Sequence, residues 1–587
     1  MKTYQYLYKD SETFDNEMKA LAGELQGFSH DKLLFHIFAE CWCESEARAI
    51  REITEKQFPG SLLVGTASFG NIRDGRCERF NIVVTAMVFE DPRSQVEAFL
   101  VYLDEAHADE SLRSFAREVE ARPWVKGVEA YVMGSVPMVT KCCEVLVDLP
   151  EQVEFFGGKS RFDHSETAPK FVIDNEGRVL GNAAVFVLYG GETIHLKTGM
   201  IQGWKPLGRP MKATRYEGDL LYELDGQPAY ELYNKYLNIK NDENYFFNTL
   251  EFPFLFYKGD SSQIRISHVC LDDGTMVLGA TIPEHDYLRI AFGDANEILR
   301  SVCEGGKEFE AFRPDGILLF PCGCRRTYWG DEQSNQETAP FESLAPTSGF
   351  YTGGELLRMN GELNEHNSTL VVAAIREGDA ADKPPVTFGM RMEDIAHEDS
   401  LTLRLSTFIR AAIDELNEAN HRLELLSITD GLTGLFNRRE EERLIREAVA
   451  DPKQDRDRLC LIMLDIDNFK HVNDTYGHSK GDMILENLSA VLTEQAKPHK
   501  PDIQVGRWGG EEFIILLTDA DEAKAAALAE QIRAAFAQRA LGLPEGQSVS
   551  IGVSRLKAGE TADALISRVD AAMYKAKGQG KNRVIAL

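Results

Sequence analysis

The chain has 587 residues, 43% hydrophobic and 27% charged, with a formal net charge of −30. That hydrophobic share excludes a wholly disordered or fibrous protein, and the length suggests about four domains or subdomains at about 150 residues each. An excess of 94 acidic over 64 basic residues argues against nucleic acid and anionic membrane as partners, while leaving room for a local basic pocket that takes a nucleotide.

The first residues, MKTYQYLYKDSETFDNEM, carry charges where a signal peptide needs an apolar core. The longer apolar runs, Ile82–Phe89 and Gly316–Phe320, fall far short of the ~20 residues of a membrane span. A cytoplasmic protein is expected. Its ten cysteines should be thiols in a reducing compartment. The close pairs Cys41/Cys43, Cys142/Cys143 and Cys322/Cys324 lack the CxxC spacing of common zinc sites, so metal or redox sensing is the lesser reading.

In chain order, residues 1–376 read as mixed α/β. Strands are expected at Leu33–Ile37 and Leu62–Val64 around a helix at Glu44–Gln57, followed by a small-residue loop at Gly65–Gly70. Further strands are expected at Arg79–Phe89, Phe171–Ile173, Ala183–Val187, Gln263–Leu271, Thr275–Ala280 and Leu370–Ile375. Residues 377–390 form a polar linker, where Pro384 and Pro385 disfavour helix. A helical pattern over 391–427 places Ile409, Ile413, Leu416, Asn420 and Leu423 at spacings of 4, 3, 4 and 3. That is a heptad seam with a polar a-type residue, the pattern of a two-stranded coiled coil. Beyond it, helices and strands interleave as an α+β sandwich: strands Arg458–Asp465, Gln547–Ser554 and Arg583–Ile585, helices Met483–Gln495, Ala520–Arg539 and Ala562–Lys577, and one antiparallel hairpin, Ile503–Arg507 with Glu512–Leu517.

The chemistry clusters in this last part. Strand 458–465 ends in Asp465-Ile466-Asp467, where a carboxylate can hold a hard cation. Residues 468–482 read as a tight loop offering Lys470 to phosphate, with Asn473 and Asp482 able to read a guanine edge. Gly509-Gly510 permits a turn with positive φ that presents Glu511 and Glu512 at a hairpin tip.

These segments resemble the GGDEF family of diguanylate cyclases. Gly509–Phe513 looks like the signature in its GGEEF form, and Asp430–Arg439 like the family's opening motif. Asp465–Asp467, Phe469-Lys470, Asn473-Asp474, Gly477-His478 and Gly481-Asp482 look like its nucleotide loop. Val549–Val553 and Ala572–Lys577 resemble its later strand and last helix. The resemblance implies a palm-type α+β fold like that of nucleotidyl cyclases, and condensation of two GTP to cyclic di-GMP across a homodimer. It implies two Mg²⁺ ions, with Mn²⁺ the alternative, held by Asp465, the Ile466 carbonyl, Glu511 and Glu512. Glu511 is then the catalytic carboxylate and Lys470 steadies developing charge. Phe469, Lys577 and Lys581 would lie at the phosphates, and Asn473 and Asp482 at guanine. The alternative is an inactive nucleotide-binding adaptor. Where many relatives carry an RxxD product-inhibition site, this chain has Lys500 and Ile503, so weak product inhibition is expected.

The front half resembles the FIST sensory domain, on Pro59–Gly70, Leu221–Tyr233, Phe320–Arg325 and Gly349–Glu355. This implies a small-molecule ligand, with an amino acid as candidate. A strand-end Arg325 could clamp a carboxylate and Glu355 an amine, if the two share a pocket. The expected domains are 1–235 and 236–378 (the two FIST subdomains), 379–427 (linker and dimerising helix) and 428–587 (cyclase).

Overall fold

Strands that are apolar on both faces need cover on both sides, and that requirement sets the architecture. The computed structural model describes residues 1–41, 43–104, 106–161, 169–259, 261–395, 401–451, 454–499, 502–543 and 546–587, without the side chains at 331, 332, 401, 417, 419–426 and 499. Lys500 and the side chains of Asn420 and Leu423 lie outside the described residues. The chain divides into two compact units, Met1–Ile413 and Asp414–Leu587, and the fold is mixed α/β in both.

In the first unit, the helix Glu44–Gln57 and strands Leu33–Ala39, Leu62–Ala67, Ile82–Val88 and Ala183–Gly191 fall where the apolar pattern puts them. The expected strand Gln263–Leu271 is instead two, Ser261–Arg265 and Ser267–Cys270. Among the described residues there are three six-stranded sheets in this unit, besides smaller ones. These sheets mix early and late sequence. Gly354–Met359 pairs with Glu154–Lys159, and Leu370–Glu377 pairs with Ile194–Ile201. The expected division at residue 235 is therefore not a division between sheets.

The polar segment 377–390 is strapped down rather than loose. Arg313 Nη1 donates to the carbonyls of Ala380 and Lys383 at 2.9 and 2.8 Å, and Lys383 Nζ meets Asp315 at 2.6 Å. Phe388 is buried against Gly306, where a Cβ would stand 2.3 Å from the ring. Three charged residues, Arg313, Asp315 and Lys383, and one aromatic are enough to anchor a segment whose average composition is polar.

The second unit contains a six-stranded sheet in the order Phe436–Asn437, Ile503–Gly509, Glu512–Leu517, Cys460–Ile466, Val549–Arg555, Val584–Ala586. Its central ladder is antiparallel throughout, with parallel pairs at both edges. The sheet thus has more antiparallel pairing than the single hairpin expected. Strand Cys460–Ile466 shows how it is covered. Cys460, Ile462, Leu464 and Ile466 pack with the helices His478–Ala496 and Glu522–Ala537, while Leu461 and Met463 pack with Arg438–Ala450 and Ala562–Gly578. Alternate side chains point to opposite faces, so the apolar run 460–464 makes a central strand between two helical layers, with Asp465 near its end. The helix Leu401–Ile428 contains the unit boundary.

Candidate active site

Asp465 stands where the buried strand leaves the sheet, opposite Glu512 in the antiparallel register. It is 3% exposed, and Lys577 Nζ lies 2.6 Å from its Oδ2. Burial lifts Asp465 to about 6, against the pull of Lys577 and with the help of Glu511 and Glu512. Burial, with Asp570 nearby, also raises Glu512. Burial disfavours the charged form of both carboxylates, and the nearby Lys577 ammonium offsets it only in part. Glu511 sits in the turn, with Gly510 at φ 50°, and its carbonyl accepts from Ile466 N–H at 3.3 Å.

Arg507 fixes this turn, a role the sequence reading did not assign. Its Nε and Nη2 donate to the Gly510 carbonyl at 3.0 and 2.8 Å, and its Nη1 contacts both oxygens of Asp430 at 3.1 Å. Asp430 also accepts from the N–H and hydroxyl of Thr433. Burial opposes its charge, but the Thr433 bonds and the guanidinium hold it below the ordinary range. The signal was present in the sequence as an Arg beside the glycine pair and an Asp in the opening motif.

Residues 468–482 are not the expected tight loop. Two helices, Phe469–Tyr476 and His478–Ala496, meet at Gly477, whose φ of 84° breaks them. Lys470 is exposed on the first and Asp482 on the second, while Phe469 is buried. Gly481 lets the helices close: a Cβ there would stand 2.0 Å from Asn473 Oδ1. That oxygen is buried without a partner, so it has an acceptor to offer. Lys581, at φ 62°, reaches Asn468. Asp467 does not face the site. It accepts from Ser548 and Ser550 hydroxyls at 2.7 Å and from Asn582 N–H at 3.0 Å, so it ties the strand end to its neighbours.

The donor set suits a hard divalent cation, and the Lys577 ammonium on Asp465 stands in for one. Among the described residues, however, no three His, Cys, Asp or Glu side chains converge into a preformed metal centre. Ion binding at Asp465, the Ile466 carbonyl, Glu511 and Glu512 would therefore require Lys577 to leave Asp465.

Among the described residues, the two sensory candidates are paired with other groups and not with each other. Arg325 is 1% exposed, with Nε and Nη2 on Glu337 at 2.9 and 2.5 Å and Nη1 on the carbonyls of Gln202 and Ser368. Glu355 is fully buried and takes hydrogen bonds from Thr352 and Thr369. Burial raises its pKa well above the usual range. Each side chain is consumed inside the fold, which corrects their reading as ligand clamps. All ten cysteines are free thiols, and no helix of the described residues is long and apolar enough to cross a membrane.

The comparisons with known proteins follow the same division. The sequence profile described as "Diguanylate cyclase, GGDEF domain" matches residues 427–583. Those of the FIST N and FIST C domains match 34–227 and 229–358. The chain thus carries a GGDEF domain behind a FIST N and a FIST C domain. Diguanylate cyclase DgcM of Escherichia coli (strain K12) is 41% identical over 175 residues, 30% of this chain and 42% of that protein. A diguanylate cyclase of Vibrio cholerae is 40% identical over 174 residues, 29% of this chain and 53% of that protein. The chain therefore spans about half the length of such relatives or less. Among solved structures, the coiled coil and GGDEF domain of DgcB from Caulobacter crescentus, in complex with c-di-GMP, is 32% identical. The match covers 32% of this chain and all of that one, with a TM-score of 0.30.

Proposed function

We propose that this protein is a diguanylate cyclase of the cytosol, condensing two GTP to cyclic di-GMP and two pyrophosphates, under the control of a small molecule bound by the FIST region. The carrying observation is the pairing of Asp465 with Glu512 across the ladder, with Glu511 beside them at a clamped tip. In each half-reaction a 3′-oxygen bonds to the α-phosphorus of the other nucleotide, and the bond to pyrophosphate breaks.

Asp465, the Ile466 carbonyl, Glu511 and Glu512 would hold Mg²⁺ or Mn²⁺. Such an ion, when bound, offsets phosphate charge and lowers the pKa of the attacking hydroxyl. Lys470, exposed on the first turn of its helix, is free to meet phosphate, with the backbone at Phe469 beside it. Lys577 and Lys581 supply further positive charge once they exchange Asp465 and Asn468 for phosphate. The unpartnered Asn473 Oδ1 and the exposed Asp482 carboxylate would accept from guanine N–H groups.

A homodimer brings two such sites face to face. The helix Leu401–Ile428 supports this, since Leu405, Phe408, Ile409 and Leu416 are 50, 71, 41 and 60% exposed.

The test is GTP with Mg²⁺, reading pyrophosphate release and product mass. Glu511→Ala is expected to lower turnover about 100-fold or more. No product from the unaltered chain, with GTP still bound, would leave the inactive adaptor as the reading.

A further inference from the structure

The helix Gly323–Gln333 starts where the buried strand Gly316–Pro321 ends. Around that start lies a cavity of about 280 Å³, bordered by Phe69, Phe246, His268, Cys324, Thr327 and Asn367 among others. Among the described residues that line it there is no Asp, Glu, Lys or Arg. Its walls are held in place. The Phe69 ring lies under the Arg161 guanidinium at 5.0 Å and against Gly323, where a Cβ would stand 2.7 Å from the ring. Phe246 meets the His268 imidazole edge-on at 5.1 Å.

One wall group has something to give. Asn367 is 3% exposed, and its Nδ2 donates to the His366 carbonyl at 3.0 Å. That bond orients the amide so that Oδ1 remains an acceptor, buried and without a partner. His268 borders the same cavity, and Gly279 packs between its Nε2 and Asn367 Oδ1: a Cβ there would stand 2.9 Å from the one and 3.1 Å from the other. Burial, with the charge of Lys159, lowers His268 to about 4, so the ring is neutral at pH 7. A buried polar atom without a partner is costly unless something supplies one.

We infer that this cavity binds a small uncharged molecule with a flat apolar body, packed against Phe69 and Phe246, and one hydrogen-bond donor given to Asn367 Oδ1. The inference deepens the sensory role proposed above and rests on it only for its consequence, not for binding. An amino acid is disfavoured here, because its two charges would meet no charged side chain in the cavity's described lining. Arg325 and Glu355, which could have met them, are already paired elsewhere.

The probe is indole, which is uncharged and has one N–H donor, titrated calorimetrically into the full chain. Benzofuran shares the shape but lacks the donor, and L-tryptophan carries the ring with two charges. Indole is expected to bind saturably, with benzofuran and L-tryptophan each at least about tenfold weaker. Asn367→Ala should erase the preference for indole over benzofuran. Cys324→Phe should fill the cavity and abolish binding of both, and it serves as the test if Asn367→Ala does not fold. Absence of saturable indole binding overturns the inference, as does equal affinity for L-tryptophan. GTP turnover in the same samples separates the two readings. Indole bound with turnover unchanged removes ligand control of the cyclase and leaves the cavity assignment standing.

Discussion

Asp465 and Asp467 leave one strand two residues apart, yet only the first faces the candidate site. Asp467 is satisfied by two serine hydroxyls and a backbone N–H, whereas Asp465 has Lys577 and two neighbouring carboxylates. The resemblance picks Asp465, but composition and spacing alone do not separate the two, because both read as strand-exit carboxylates. Arg507 makes a different point: it is a positioning residue acting through the Gly510 carbonyl. Arg507→Ala should free the tip and lower GTP turnover about 10–100-fold while leaving the melting temperature nearly unchanged, since misplacing a reacting group by about 1 Å can cost a factor near 100. Unchanged turnover would show that the tip keeps its place without the clamp.

Glu441 carries a pH prediction. It is fully buried, both carboxyl oxygens lack partners, and burial, with Glu440 nearby, lifts it to about 8. The folded chain therefore keeps a proton there that the unfolded chain gives up at the ordinary carboxylate range. Stability from this group falls as pH rises between those values. Glu441→Gln removes the ionisation, so the melting temperature of the variant should exceed that of the parent by a margin that widens from pH 5 to pH 8. A constant margin would mean that Glu441 does not titrate in this window.

At the scale of elements, the strongest sequence signals are those repeated along one segment. The helix Glu44–Gln57 matches its expected bounds, and the central strand 460–466 follows the apolar run 459–464. The segment 468–482 defeats the same reading, because Gly477 and Gly481 look like loop residues. One ends a helix at positive φ, and the other lets two helices touch. On the helix Leu401–Ile428, the seam residues Ile409 and Leu416 are 41 and 60% exposed in the single chain. Leu416→Lys should weaken self-association by at least about tenfold in sedimentation equilibrium, because a charge at a seam position loses its apolar contact. Retention of the parent's association constant would rule out this seam as the dimer contact.

At the scale of the whole molecule, the net charge of −30 conceals a small basic set, Lys470, Lys577 and Lys581, gathered in the GGDEF domain. If two such domains must meet to join two nucleotides, turnover per chain depends on chain concentration. Specific activity should rise with concentration and reach half its maximum near the dimer dissociation constant found by sedimentation. Activity that stays constant well below that value would argue for a site complete in one chain.

By itself, the sequence marked the GGDEF and FIST segments and most of their helices and strands, and it proposed the carboxylates, amide and lysines of the candidate site. Those features depend on neighbours along the chain: side-chain periodicity, a glycine pair in a turn, a motif within twenty residues. Only the tertiary structure decided which polar groups are already spent. Arg325 is taken by Glu337, Glu355 by Thr352 and Thr369, and Asp465 by Lys577, while Asn367 and Asn473 keep a buried acceptor without a partner. The physical reason is that burial and pairing arise from segments brought together across the chain, such as Gly354–Met359 laid against Glu154–Lys159. No local pattern records that meeting.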